Sequence, residues 1–135
     1  ASYKLLVSNG ASPVPIPIQK VAAYLYDDEE HHTKACIHYD QHFSIVEKYL
    51  KPFCKDLKLP DAGFFLWLKV KDDQQAAKIL WNKFSLRVMP GSFMGKEING
   101  VNPGDGFLRI SLVDNKDVIE ETMKRIQLFL QSEIS

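Results

Sequence analysis

Gly100-Val-Asn-Pro-Gly-Asp-Gly-Phe-Leu-Arg-Ile-Ser-Leu-Val113 joins a turn-rich loop to a run of aliphatic and β-branched residues. Pro103 has a fixed φ, and Gly104 and Gly106 tolerate a positive one, so the chain must reverse before Phe107. From Phe107 onward a two-residue alternation predicts a strand. Leu108, Ile110 and Leu112 fall on one face, while Phe107, Arg109 and Ser111 fall on the other. A guanidinium in mid-strand is costly to cover unless an anion meets it, and its planar fork matches a carboxylate or phosphate. Composition favours a neighbouring Asp or Glu as that anion, because charged residues are seldom buried unless paired. A bound anionic ligand is the other solution.

Outward from that strand, 135 residues suffice for one domain whose core needs neither metal nor disulfide. Apolar residues make up 45% of the chain, and 17 basic residues balance 17 acidic ones. No basic field therefore announces nucleic acid, and no acidic tail announces a basic partner. If one helix carried both Cys36 and Cys54, they would lie about 27 Å apart at ~1.5 Å per residue, beyond disulfide reach. They read as thiols of a reducing compartment. No apolar run approaches membrane-spanning length and nothing at the start resembles a signal peptide, so a cytoplasmic protein without a membrane partner is expected. The chain opens at Ala1 and runs straight into a proline-punctuated segment, as though cut from something longer.

Pro13, Pro15 and Pro17 predict an extended, polyproline-like passage. A helix follows with Ile18, Val21, Ala22 and Leu25 on one face, ending near the acidic run from Asp27 to Glu30. A second helix is expected from about Glu30 to Pro52, because Tyr39, Phe43, Val46, Leu50 and Phe53 recur at helical spacing. His31, His32, His38 and His42 cluster on it. His38 and His42 have the i, i+4 spacing that can bind zinc, but neither Asp40 nor Cys36 shares their face. Solvated helix surface is the expectation there, with no metal site.

Pro60 to Gly63 turn the chain into a strand over Phe64–Val70, where Leu66, Leu68 and Val70 alternate with Phe65, Trp67 and Lys69. Asp72 or Asp73 caps a helix from about Gln74 to Phe84, with Ala77, Leu80, Trp81 and Phe84 as its buried stripe. A short strand is expected over Leu86–Met89, stopped by Pro90 and Gly91. The loop from Ser92 to Gly106 has a length that is usually functional or disordered. After the arginine strand, Asp114 or Asn115 caps a final helix that turns Ile119, Met123, Ile126 and Leu130 inward, with Leu128 and Phe129 broadening its apolar side.

The order is two helices, then β-α-β-β-α: an α+β fold in which a small sheet of about three strands carries helices packed on one face. If those helices cover Leu108, Ile110 and Leu112, Arg109 points from the opposite face, and Phe65 and Trp67 join it. A short sheet exposing aromatics and an arginine is incomplete by itself. A binding module of another class, for peptide or nucleic acid, competes with a carboxylate site. The stretch from Gly106 to Leu112 superficially resembles a strand of an RNA-recognition domain, where sheet-face aromatics stack bases. Only Phe107 would serve on this strand, and the chain has no net positive charge to hold phosphates, so no nucleic-acid partner is expected.

Three motifs carry a family resemblance: Gly63-Phe-Phe-Leu-Trp-Leu, Val88-Met-Pro-Gly-Ser-Phe and Phe107-Leu-Arg-Ile-Ser-Leu-Val. The run from Gly63 to Phe129 resembles the C-terminal small domain of the fold-type I, class I/II pyridoxal-phosphate aminotransferases. Pro15 to His31 is similar to the helix that follows the cofactor lysine in that family. Residues 1–30 then read as a remnant of the large-domain segment with its first helix, and 31–135 as the small domain. More narrowly, Asn99-Gly-Val-Asn-Pro-Gly is similar to the N-succinyldiaminopimelate aminotransferases of bacterial lysine biosynthesis. Aspartate and other class I aminotransferases are the alternative.

The resemblance implies that Arg109 clamps the α-carboxylate of an amino- or keto-acid substrate. It places Met89 to Phe93, including Ser92, near that substrate, with Phe65 and Trp67 walling the site. It also brings the loop with Lys96 and Asn99 toward the substrate's distal end, where Lys96 could meet a second carboxylate; a solvated loop lysine is the plainer reading. Pyridoxal phosphate would be held by a large domain of the same enzyme, in a homodimer. The Ser-x-x-Lys segment with its Gly-x-Arg-x-Gly continuation has no match here, and Cys36 stands where relatives commonly have an arginine. A chain with the clamp but no catalytic or cofactor-binding residues is expected to be a fragment of a transaminase, inactive alone.

Overall fold

The computed structural model describes residues 14–134, together with Lys4, Ser8 and Gly10. Pro13 and the first residues of the chain lie outside the described residues apart from these three. Contacts divide the chain into two compact units, Ala1–Ala35 and Cys36–Ser135.

In the first unit, helix α1 spans Ile16–Tyr26. Pro15 caps it with extended backbone, and Pro17 sits inside its first turn, where a missing N–H leaves no helical bond unmade. The extended passage therefore stops one proline earlier than the sequence suggests. None of its residues is buried; Ile18, Val21 and Leu25 are exposed. Helix α2, Glu29–Leu50, begins where the Asp28 carboxylate accepts the His31 N–H at 3.0 Å.

In the second unit the remaining turns of α2 bury Phe43, Ile45, Val46 and Leu50. Strand β1 is Phe65–Lys69, helix α3 is Asp73–Phe84, β2 is Met89–Pro90, β3 is Phe107–Ser111 and helix α4 is Lys116–Ile134. The strands form one antiparallel sheet in the order β1-β3-β2, so the arginine strand is central. Leu66 and Leu68 of β1 and Leu108, Ile110 and Leu112 of the β3 segment share one core with Val46, Leu50, Leu80, Ile119, Met123, Ile126 and Phe129. The α+β architecture is as expected.

Several local expectations change. The short strand after α3 is not Leu86–Met89 but Met89–Pro90. Ser85 adopts the left-handed conformation at φ 54° and the Leu86 N–H reaches back to Leu80 O at 3.0 Å, so Leu86 completes the end of α3 instead of pairing. Pro90 is tolerated because β2 lies at the sheet edge. Asp72 is the cap of α3, accepting the Gln75 N–H at 2.9 Å, which frees Asp73 for another role. On α3, Trp81 is 58% exposed and Ala76 takes its place in the core. On α4, Asn115 supplies the cap through the Val118 N–H at 3.1 Å, Phe129 is buried, Leu130 is half-buried and Leu128 is exposed. Phe53 lies just beyond α2 and is half-buried.

His42 is the largest departure. It is 1% exposed, and its Nδ1–H donates to the Leu112 carbonyl at 2.8 Å, tying α2 to the end of the β3 segment. Its ring meets that of His38 edge-on, centroids 4.3 Å apart. Among the described residues no group of three His, Cys, Asp or Glu side chains is arranged for a metal ion, and no helix is long and apolar enough to cross a membrane. Cys36 is exposed and Cys54 half-buried, with no disulfide between them; burial pushes the Cys54 thiol up.

Candidate functional site

Alternation along β3 sends Leu108 and Ile110 into the core and leaves Phe107 and Arg109 half-buried on the open face. Antiparallel register then decides what surrounds the arginine. Trp67 of β1 stands directly across from it on one side and Met89 of β2 on the other. Both are open to solvent, at 41% and 42% exposure. Phe65, two residues along β1, slides under the guanidinium: Arg109 Cζ lies 4.3 Å from its ring centroid. The quadrupole of the ring attracts the cation and holds the guanidinium over the ring. Among the described residues no Asp or Glu pairs with Arg109. The neighbouring acid anticipated from composition is absent among the described residues. A half-sheltered cation with no counter-charge among the described residues has the planar fork to take a carboxylate or phosphate with two parallel N–H···O bonds.

Beside it lies a recess of about 470 Å³ lined by Trp67, Gly91, Met94, Gly95, Pro103, Gly104 and Phe107. Its walls come from β1, the start of β3 and the 92–106 loop. That loop is ordered by its own bonds. A 3-10 turn over Gly91–Phe93 opens it, and an isolated bridge pairs Ile98 with Val101. Between those partners Asn99 and Gly100 both have positive φ, 53° and 79°, the two-residue hairpin turn that an Asn-Gly pair favours. Asn102 Nδ2 donates to Ser92 O at 2.9 Å, and its Oδ1 accepts the Gly104 N–H at 2.9 Å. Gly91 and Gly104 meet backbone to backbone: a Cβ on Gly104 would sit 2.0 Å from Gly91 O, and one on Gly91 would sit 2.3 Å from Gly104 O. Only glycine fits at either position.

Both ends of the loop converge on Asp73, which is 5% exposed. Its Oδ2 accepts the Ser92 N–H at 2.8 Å and its Oδ1 faces the Gly106 N–H at a longer 3.5 Å. Burial pushes this carboxyl up, but the Ser92 and Gly106 hydrogen bonds outweigh it and hold the group below the ordinary carboxylate value.

Of the residues singled out from the sequence, the structure brings Arg109, Phe65 and Trp67 together on one face. Ser92 sits at the root of the loop, half-buried, its N–H held by Asp73 and its Oγ accepting from Gln74 Nε2 at 3.2 Å. Asn99 is exposed at the hairpin turn and has a conformational reason to be there; Lys96 is exposed in the loop just before the hairpin. From the sequence Asp73 stands only as a candidate cap, Gly91 only as a strand stop in the stretch near the substrate, and Asn102 has no role of its own. A second carboxylate after the capping Asp72 was the one signal that could have drawn notice to the first of these.

No family model matches the sequence. Among curated proteins, the LL-diaminopimelate aminotransferase of Natranaerobius thermophilus is 27% identical over 130 residues, covering 93% of this chain and 31% of that protein. Among solved structures, an aminotransferase from Neisseria meningitidis matches with a TM-score of 0.72 and 30% identity, over 95% of this chain and 33% of that one. An aromatic aminotransferase from Pyrococcus horikoshii matches with a TM-score of 0.68 and 25% identity, over 97% and 35%. The chain thus spans about a third of the length of these relatives and has the fold of that part of an aminotransferase.

Proposed function

We propose that this chain is the C-terminal small domain of a pyridoxal-phosphate-dependent aminotransferase, and that Arg109 binds the α-carboxylate of its amino- and keto-acid substrates. The observation that carries the reading is the guanidinium itself: mid-strand, seated over the Phe65 ring, facing outward beside a recess, with no acidic partner among the described residues. The fold likeness supplies the reaction class. The 27% identity to an LL-diaminopimelate aminotransferase and the Asn99-to-Gly104 stretch support a place in lysine and diaminopimelate biosynthesis.

In this reading the fork of Arg109 takes both carboxylate oxygens, and Phe65 keeps the fork from rotating. That orients the substrate's α-carbon, so the clamp contributes to orientation as well as affinity. Phe65 and Trp67 narrow the access of water to the ion pair, which strengthens it. When bound, pyridoxal phosphate supplies the electron sink for transamination. The described residues do not fit it by themselves. Every lysine is exposed, and no carboxylate stands beside Arg109 to serve the pyridine nitrogen. The proposal assigns the cofactor to a large domain of the parent enzyme, working as a cytoplasmic homodimer.

The test is an absorbance scan of the full-length gene product with added pyridoxal phosphate, followed by assays with glutamate and N-succinyl- or free diaminopimelate substrates. A band above roughly 400 nm that borohydride abolishes, with turnover of a keto acid, is expected. A full-length product that never develops the band contradicts the reading.

A further inference from the structure

The clamp makes no use of Asp73, yet both segments that frame the recess return to this one buried carboxylate. Ser92 follows the edge strand β2, and Gly106 precedes β3; Asp73 accepts from the backbone of each, at 2.8 and 3.5 Å. Gly91, one residue before Ser92, and Gly104, two residues before Gly106, line the recess and touch each other. Asn102 adds a third tie from within the loop, to Ser92 O and the Gly104 N–H. Around Asp73 the polar groups are backbone N–H donors, with Ser92 and Gln74 beside them and Asp72 next in sequence; among the described residues no cation pairs with it. A buried anion held chiefly by backbone N–H groups of the loop stays in place only while those groups do, so carboxylate and loop order each other.

We infer that Asp73 is a positioning residue whose carboxylate fastens both ends of the 92–106 loop and so holds the recess beside Arg109 in its binding shape. The inference rests on the reading of Arg109 as the carboxylate clamp. An aspartate that served stability alone would lower the melting temperature when replaced and leave substrate binding untouched. A positioning residue moves KM as well.

The experiment uses the full-length protein, wild type and Asp73→Asn, with Asn102→Ala as a second variant that loosens the loop from outside the buried carboxylate. For both variants KM for glutamate is expected to rise about tenfold with kcat within about twofold. Amide hydrogen exchange is expected to quicken from Ser92 to Gly106 while α4 stays protected. A lowered melting temperature with unchanged KM overturns the inference, as does unchanged exchange across the loop. Arg109→Ala separates the two readings. A normal KM in the loop variants beside a raised one in Arg109→Ala overturns the Asp73 inference alone, whereas a normal KM in all three overturns the clamp itself.

Discussion

Arg109, His42 and Asp73 are three polar groups that the fold shelters in different ways, and each makes its own forecast. His42 fills core space and satisfies the Leu112 carbonyl. His42→Ala removes both, so it should destabilise the protein by about 2–4 kcal/mol, read from the denaturant midpoint. A loss under about 0.5 kcal/mol would mean that the bond to Leu112 carries nothing. Asp73 has a depressed folded-state pKa, so its contribution is complete above the unfolded value of about 3.9 and is lost as pH falls through the folded value. The stability difference between wild type and Asp73→Asn should therefore be constant near neutrality and shrink below about pH 4. A difference that stays flat across that range contradicts the hydrogen-bonded carboxylate. The position of His42 on its helix was readable and its burial was not. It lies three residues after Tyr39 and four before Val46, inside the buried arc, but polarity argued for the surface. A single backbone carbonyl seventy residues away changes that balance, and no local pattern announces it.

At the scale of elements, alternation was the strongest guide. A strand has only two faces, so Leu108, Ile110 and Leu112 specified where Phe107 and Arg109 must go. Helix stripes were less decisive. At about 100° per residue, Trp81 sits a quarter-turn or more from Leu80, on the shoulder of the buried arc, where a large side chain can turn outward at no loss of packing. The 92–106 loop is recognisable by length, and Asn99-Gly100 is a local hairpin signal within it; its fastening to Asp73 depends on contacts that sequence spacing does not encode. Two element-level predictions follow from the geometry. Gly91→Ala or Gly104→Ala forces the β2–β3 junction apart and should cost about 1–3 kcal/mol in thermal unfolding. Wild-type stability in both variants would contradict the backbone contact. Asn115→Ala removes the α4 cap and should cost about 1 kcal/mol by the same measurement, against no change if the cap were incidental.

For the molecule as a whole, the second unit is a three-stranded sheet whose inner face is covered by helices and whose outer face carries Phe65, Trp67, Met89 and Arg109. The fold is that of one third of an aminotransferase, and the open face is where the carboxylate reading places its substrate. The central claim is that Arg109 is a clamp and not a structural charge. Steady-state transamination kinetics of the full-length protein carrying Arg109→Ala and Arg109→Lys test it most directly. The account predicts kcat/KM lowered by about 2–4 kcal/mol, roughly 30- to 900-fold, for alanine, with lysine recovering only part because it keeps the charge and loses the fork. Kinetics of Arg109→Ala near the wild-type values would contradict it.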